Sequence, residues 1–369
     1  MPRPDPHIII SGGGTGGHIF PALAIARAIK RKLPGAEILF IGAKGKMEME
    51  KVPEAGFAIK GLWISGLKRE LSIKNLLFPV KVITSLVHAL FIIRRFKADV
   101  AVGVGGFASG PALRAAGVLG IPALIQEQNS FPGITNKILG KKAAKVCVAF
   151  EGMEQYFRQS KIVITGNPVR KEVIDIMGKR EEAASFFGLK PDKKTVFVVG
   201  GSQGAYSINT CIEKMIPFFK ENQVQLLWQT GKNFEQRAID ACSEEAFGEV
   251  KVAGFIKRMD LAYAMADIVI SRAGAIAIAE LAAVRKPVIF IPLPSAAEDH
   301  QMKNARRLEE KGAAVVIHDR EACEKLPGSL LNLIRDEQSR NQLAENIGAF
   351  AVADADDKIA DEIIALIKK

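Results

Sequence analysis

Cysteine is scarce in this chain. Four cysteines in 369 residues (Cys147, Cys211, Cys242 and Cys323) lie far apart, with no C-x-x-C pair. That spacing excludes a zinc ribbon or a thioredoxin-type site and fits a reducing cytosol. Aromatic residues make up 7%, with only two Trp and three Tyr, and no arginine-rich arm occurs. So few stacking platforms argue against nucleic acid as a partner. Neither H-E-x-x-H nor a P-loop lysine is present, and no D-x-D stands among the glycine-loop motifs described below. No metal or cofactor is therefore expected. The longest apolar stretch, Leu76–Ile93, is interrupted by Pro79, Lys81, Thr84, Ser85 and His88. A spanning helix needs about 20 mostly apolar residues, so no transmembrane segment is expected. The opening MPRPDPHIII, with Asp5 and three prolines, does not read as a signal peptide.

The residues present are those of an ordinary globular protein, 48% hydrophobic and 25% charged, long enough for two domains. Net charge is +11, but residues 1–150 hold 21 basic and 8 acidic residues, whereas residues 151–369 hold 30 and 32. The basic surplus of the first half suits an anionic membrane or a polyphosphate ligand. Lys68, Arg69 and Lys74 stand beside Leu76, Leu77 and Phe78, a pairing that fits the surface of an anionic bilayer. On a helix through Leu76–Ile93, Val80, Ile83, Val87 and Leu90 share one face and would cover a sheet, with Lys81, Ser85 and His88 lying elsewhere.

Short β-branched runs alternate with helical stretches, the signature of parallel sheets covered on both faces. One series runs through His7–Ser11, Glu37–Ile41, Asp99–Val102, Ala123–Gln126 and Val146–Ala149. A second runs through Lys194–Val199, Gln225–Trp228, Ile268–Ser271, Val288–Ile291 and Ala314–Ile317. Each opens with a strand, a glycine loop and a helix. The expected architecture is α/β: two Rossmann-like domains with parallel sheets facing a central cleft. The boundaries fall at 1–166 and 167–351, hinged at Gly166-Asn167-Pro168, and a tail helix over about 352–369 crosses back to the first domain.

Gly12-Gly13-Gly14-Thr15-Gly16-Gly17-His18 satisfies G-x-G-x-x-G between a strand and a helix, a phosphate-binding arrangement of backbone N–H groups. The second strand, EILFIG, closes without the Asp or Glu a dinucleotide ribose requires, so a nicotinamide cofactor is not expected. His18 at the helix start is either a cap or phosphate contact, or a general base kept neutral by the helix N-terminus. A second loop, with Gly103, Gly105, Gly106, Ser109 and Gly110, suggests another phosphate position on the same sheet edge. Gln126-Glu127-Gln128-Asn129 closes a strand, where open α/β sheets border their ligands. Gly200–Gly204 repeats the anion loop in the second half. Arg170 suits a leaving phosphate or solvent equally well. Glu280, in the helix after Ser271-Arg272-Ala273-Gly274, suits two vicinal hydroxyls or solvent. Glu298-Asp299-His300-Gln301 and Asn304 add sugar-hydroxyl partners. A departing nucleoside diphosphate would then rely on helix dipoles and cations.

GGGTGGHIFPALA, GVGGFASGPALRAA, QEQNSFPGITNK, TGNPVR, VVGGSQGA and SRAGA…AE with EDHQ together resemble the MurG family. These are UDP-N-acetylglucosamine–N-acetylmuramyl-(pentapeptide) pyrophosphoryl-undecaprenol N-acetylglucosamine transferases, and the likeness runs almost the whole length. The resemblance implies a GT-B fold, an N-terminal acceptor domain and a C-terminal UDP-GlcNAc domain. It implies GlcNAc transfer to the 4-hydroxyl of MurNAc in lipid I at the cytoplasmic membrane face, with proteins of cell-wall synthesis as partners. Donor contacts would fall on Thr15, Gly16, Gly17, Asn129, Arg170, Ser202, Ile256, the run Ala275, Ile276, Ala277, Ile278, Ala279 and Glu280, and Gln301. His18 would correspond to the base, with Glu127 beside the reacting sugar. Gly14, Gly105, Gly106, Ser109 and Gly110 would line the acceptor's diphosphate. Family members often carry a hydroxyl where this chain has Ala277 or Ala279, leaving backbone N–H groups to hold the donor diphosphate there. Other readings are a GT-B relative acting on another lipid acceptor or a UDP-GlcNAc 2-epimerase on the same scaffold, and a non-catalytic binder of polyisoprenyl phosphates or nucleotide sugars.

Overall fold

Ile8, Ile9 and Ile10 show how the first sheet is built. All are fully buried, but Ile8 and Ile10 pack on one face and Ile9 on the other. A strand covered on both sides needs apolar residues at every position, because successive side chains alternate between faces. A computed structural model describes residues 5–65, 78–245 and 247–367. Within it the chain divides into two compact units, residues 1–169 with 352–369, and residues 170–351.

The first unit carries seven parallel strands: β1 (His7–Gly12), β2 (Glu37–Ala43), β3 (Ala58–Leu62), β4 (Val100–Gly105), β5 (Ala123–Glu127), β6 (Lys145–Val148) and β7 (Ile162–Ile164). Their order is β3-β2-β1-β4-β5-β6-β7. The order therefore reverses between β1 and β4, the place where open parallel sheets leave a crevice beyond their strand ends. Helices α1 (Gly16–Lys32), α2 (Glu48–Glu54), α3 (Phe78–Phe96), α4 (Ser109–Val118) and α5 (Ile134–Gly140) follow in chain order. The second unit holds β8 (Thr195–Val199), β9 (Gln225–Gln229), β10 (Val250–Ala253), β11 (Ile268–Ser271), β12 (Val288–Phe290) and β13 (Val315–Val316), in the order β10-β9-β8-β11-β12-β13. Its reversal lies between β8 and β11. Among its helices are α6 (Tyr206–Lys214), α7 (Met259–Met265), α8 (Ala275–Ala283), α9 (His300–Glu309) and α10 (Ala322–Arg335).

The tail helix α11 (Ala355–Ile367) belongs to the first unit, with Ile359, Ala360 and Ile363 buried in the same layer as Ile8, Ile25 and Ile29 of β1 and α1. Arg31 pairs with Asp356 at 2.7 Å and with Asp357 at 2.9 Å, and Lys32 pairs with Asp361 at 2.7 Å. The tail does contain one D-x-D triplet, Asp354-Ala355-Asp356, which the sequence reading passed over. Its Asp356 is engaged with Arg31 and serves packing of the tail.

Three sequence-based expectations change. On α3 the apolar stripe faces outward: Val80, Ile83 and Val87 are 48%, 62% and 46% exposed, and Phe91 is 71% exposed. The buried face is Ser85, Ala89 and Ile93. Small residues let this helix approach its neighbours closely, and the Ser85 hydroxyl is satisfied by donating to the Trp63 carbonyl at 3.0 Å. On α1, where helical spacing places Phe20, Leu23, Ala24 and Ala28 on one face, Phe20 is 37% exposed while Leu23 and Ala28 are buried. Finally, Cys211 on α6 and Cys323 on α10 form a disulfide with Cα atoms 4.8 Å apart, instead of two free thiols. Lys68, Arg69, Lys74, Leu76 and Leu77 lie outside the described residues; Phe78 is the first residue of α3 and half-buried.

Candidate active site

In the first unit the glycine loops after β1 and β4 meet at the reversal point. Opposite Gly12 the register slips so that it pairs with Gly105. The fully buried Ser109 hydroxyl bridges the two loops, lying 2.8 Å from the Ser11 carbonyl and 2.9 Å from that of Gly105. Backbone touches backbone: a Cβ on Gly106 would lie 2.2 Å from the Gly13 carbonyl oxygen. Gly106 also sits at φ +87°, which only glycine adopts without strain. The half-buried His18 ring lies over Gly105, where a Cβ would fall 2.8 Å from Nε2. His18 Nδ1 is 3.2 Å from Thr15 Oγ1. The Gly14 N–H is committed to the Glu48 carboxylate at 2.9 Å, so it does not point to a substrate phosphate.

The loop after β5 is knitted to itself. Glu127 is buried and accepts from Asn129 N–H, Asn129 Nδ2, Gly133 N–H and Asn136 Nδ2. Burial pushes its carboxyl above the ordinary carboxylate range, and those four donors pull against that shift. Gln126 and Gln128, expected to meet sugar, are instead structural. Gln126 Nε2 donates to Asn167 Oδ1 at 3.0 Å and Gln128 Nε2 to the Val104 carbonyl at 2.7 Å.

In the second unit, Gly204 (φ +76°) packs so closely that a Cβ would lie 1.9 Å from the Thr230 carbonyl oxygen. Ser202 is exposed on this loop. Gln229 Nε2 donates to the Gly201 carbonyl at 3.0 Å, and its Oε1 accepts the Ile256 N–H at 2.9 Å, tying the β8 loop to the β10 loop. Residues Ala275, Ile276, Ala277, Ile278, Ala279 and Glu280 open α8, whose first N–H groups lack helical acceptors. Glu280 is 6% exposed; one oxygen accepts from Tyr263 at 3.0 Å and the other from Arg170 at 3.2 Å. Burial raises its pKa, opposed by Arg170 and Tyr263. Gln301 Oε1 accepts the Leu293 N–H at 3.0 Å, shaping the loop after β12. Arg272 reaches the Ile291 and Pro292 carbonyls, Asp319 and Ser207, clamping three elements beside the same sheet edge.

Each parallel-sheet unit therefore carries a glycine loop at its reversal point. The description "Glycosyltransferase family 28 N-terminal domain" matches residues 8–148, and "Glycosyltransferase family 28 C-terminal domain" matches residues 195–359. The chain belongs to glycosyltransferase family 28. A relative from Cytophaga hutchinsonii, named UDP-N-acetylglucosamine--N-acetylmuramyl-(pentapeptide) pyrophosphoryl-undecaprenol N-acetylglucosamine transferase, is 51% identical over 368 residues, covering 100% of this chain and 99% of that protein. One of the same name from Bacteroides fragilis is 49% identical, covering 98% and 96%. The crystal structure of Acinetobacter baumannii MurG superposes with a TM-score of 0.78 at 26% identity, over 98% of this chain and 99% of that one. UDP-GlcNAc 2-epimerase from Neisseria meningitidis superposes at 0.67 with 13% identity, covering 98% and 99%, a likeness of fold alone.

In this family 28 chain the candidate substrate-binding residues, Arg170 apart, lie at or beyond the carboxyl ends of strands. Gly14, Thr15, Gly16, Gly17 and His18 follow β1. Gly105, Gly106, Ser109 and Gly110 close or follow β4, while Glu127 and Asn129 close or follow β5. Ser202, Ile256, Ala275 to Glu280 and Gln301 follow β8, β10, β11 and β12, and Arg170 reaches Glu280 from outside the second sheet. Sequence reasoning missed Glu48, Tyr263, Gln229 and Asn136. Only Glu48 left a trace, as an acid five residues past the end of β2, beyond the spot where a ribose-binding acid was sought.

Proposed function

We propose that the chain is an inverting transferase that moves GlcNAc from UDP-GlcNAc to the 4-hydroxyl of MurNAc in lipid I, giving lipid II. The observation that carries this is the end-to-end 51% identity to a relative bearing that activity as its name. The first unit takes the lipid-linked acceptor at the β1 and β4 loops, and the second takes UDP-GlcNAc.

His18 is the base. With the Nδ1 proton directed at Thr15 Oγ1, Nε2 receives the proton of the acceptor hydroxyl. The acceptor oxygen attacks the anomeric carbon from the face opposite UDP, through an oxocarbenium-like transition state. The bond to the diphosphate oxygen breaks, and the departing charge is met by N–H groups opening α8 and by Arg170. On donor binding Arg170 exchanges Glu280 for the diphosphate. This releases one Glu280 oxygen for a ribose hydroxyl, while Tyr263 keeps the other. Glu127, its oxygens saturated by N–H donors, acts by holding the loop that carries Asn129. The exposed α3 stripe and the basic first half attach the protein peripherally to the cytoplasmic face of the membrane.

Incubation with UDP-GlcNAc alone and then with lipid I tests the assignment. Lipid-dependent transfer of GlcNAc is expected. UDP release without acceptor would instead mark an epimerase, and binding without turnover a carrier. His18→Ala should lower kcat by roughly 10²–10⁴ with UDP affinity preserved. An unchanged kcat removes His18 from this role.

A further inference from the structure

Glu48 is a buried carboxylate that the chemistry above does not use. It is 1% exposed and opens α2, where a helix N-terminus favours negative charge. Its side chain turns back beneath the first glycine loop. Oε2 accepts the Gly14 N–H and Oε1 the Ala43 N–H, both at 2.9 Å. Among the described residues no salt bridge involves it, and these two backbone N–H groups are the donors that satisfy its oxygens. The fit is close: a Cβ on Gly13 would fall 2.3 Å from the carboxylate, and one on Gly42 2.5 Å from Glu48 Cγ.

The loop it braces contains five glycines in the six residues from Gly12 to Gly17. Such a segment has more conformations to lose than any other composition, and a single anchor inside it removes many of them. Gly14 is that anchor: the next residue is Thr15, whose hydroxyl meets the His18 ring, and α1 begins directly afterwards. Gly13 on the other side contacts the second loop at Gly106. We propose that Glu48 is a positioning residue for transfer. It fixes the Gly13–Gly14 turn, so that the paired Thr15 and His18 side chains meet the acceptor hydroxyl in one orientation. The inference rests on the transferase reading for its kinetic consequence, but its structural half stands independently of it.

The test compares Glu48→Gln, Gly42→Ala and, as control, Glu50→Gln, an exposed residue of the same helix. In Glu48→Gln the amide keeps one acceptor but turns an NH₂ towards the second N–H. Gly42→Ala leaves the charge and displaces the carboxylate. Hydrogen exchange by mass spectrometry should quicken in peptides covering residues 12–18 and 42–43 of both variants and not in the control. Exchange unchanged there overturns the brace, whatever reaction the protein catalyses. In the lipid I assay, kcat should fall about 10- to 100-fold, as expected for a slightly misplaced reacting group, with the KM for UDP-GlcNAc within about twofold. A lowered melting temperature with kcat intact would make Glu48 a stability residue only. If the wild type fails to transfer GlcNAc, the functional reading falls, and the exchange data still decide the brace.

Discussion

Glu48, Glu127 and Glu280 are all buried, and each is made tolerable differently: by two backbone N–H groups, by a self-knitted loop, and by Tyr263 with Arg170. On the role proposed above, donor binding takes Arg170 from Glu280, and the titration of Glu280 would then reach function. Its pKa is raised above 4.5 by burial, and ionisation makes both oxygens acceptors, one for Tyr263 and one for a ribose hydroxyl, at greater strength than the neutral acid offers. Falling pH therefore protonates it before ordinary carboxylates, and the KM for UDP-GlcNAc should begin to rise above pH 4.5. Tyr263→Phe deletes a hydrogen bond that lowers this pKa, so the rise should start at still higher pH. Glu280→Gln should have a high and pH-flat KM. Superimposable KM–pH profiles for the three proteins would remove Glu280 from the donor site. Arg170 and Glu280 were legible in the sequence because each adjoins a recognisable motif. Tyr263 and Glu48 were not, because their partners lie 17 and 34 residues away and a buried Tyr in LAYAMAD reads as core.

At the level of elements, the central strands were readable, and of the four edge strands only β13 was. β3, β7 and β10, all edge strands, escaped the sequence reading. Their side chains are mostly half-buried or exposed, and β3 carries Lys60 and Gly61. An edge strand is kept short, since a long apolar one invites aggregation, and so few residues leave little pattern to betray a strand. The α3 helix misled for the opposite reason: periodicity finds an apolar face but not what covers it. The disulfide is a third case, because proximity of residues 112 apart is a property of packing. It fastens α6, which follows the β8 glycine loop, to α10; Ser207 of α6 also bonds Asp319, in the turn just before α10, and Arg272. Closing a loop of that length stabilises the fold by about 4–5 kcal/mol in the chain-entropy account. Cys211→Ser should therefore melt well below wild type under non-reducing conditions, the difference vanishing when wild type is reduced. Alkylation of unfolded, unreduced protein should modify two thiols, Cys147 and Cys242. Four modified thiols would show that the bond is absent in solution.

At the scale of the whole molecule, the basic surplus of residues 1–150 and the outward face of α3 belong to the same unit. No helix among the described residues is long and apolar enough to cross a membrane, so attachment must be peripheral if it occurs through them. Val80, Ile83, Val87 and Phe91 form one exposed stripe, and Arg94 and Arg95 follow at the end of α3. A basic side chain near an anionic surface contributes about 1 kcal/mol, fading over a Debye length of about 8–10 Å. Lys68, Arg69 and Lys74 together would supply roughly 3 kcal/mol, too little at moderate salt without apolar insertion. The two contributions separate experimentally. Binding to anionic vesicles should weaken with salt without vanishing, and binding to neutral vesicles should be poor. Exchanging Lys68, Arg69 and Lys74 for Glu should remove the salt-sensitive part, while Ile83→Glu with Phe91→Glu should remove the salt-resistant remainder. UDP binding should persist in both, because the donor residues of the second unit are untouched. If the Ile83/Phe91 variant holds anionic vesicles as wild type does at high salt, the exposed stripe of α3 is not a membrane face.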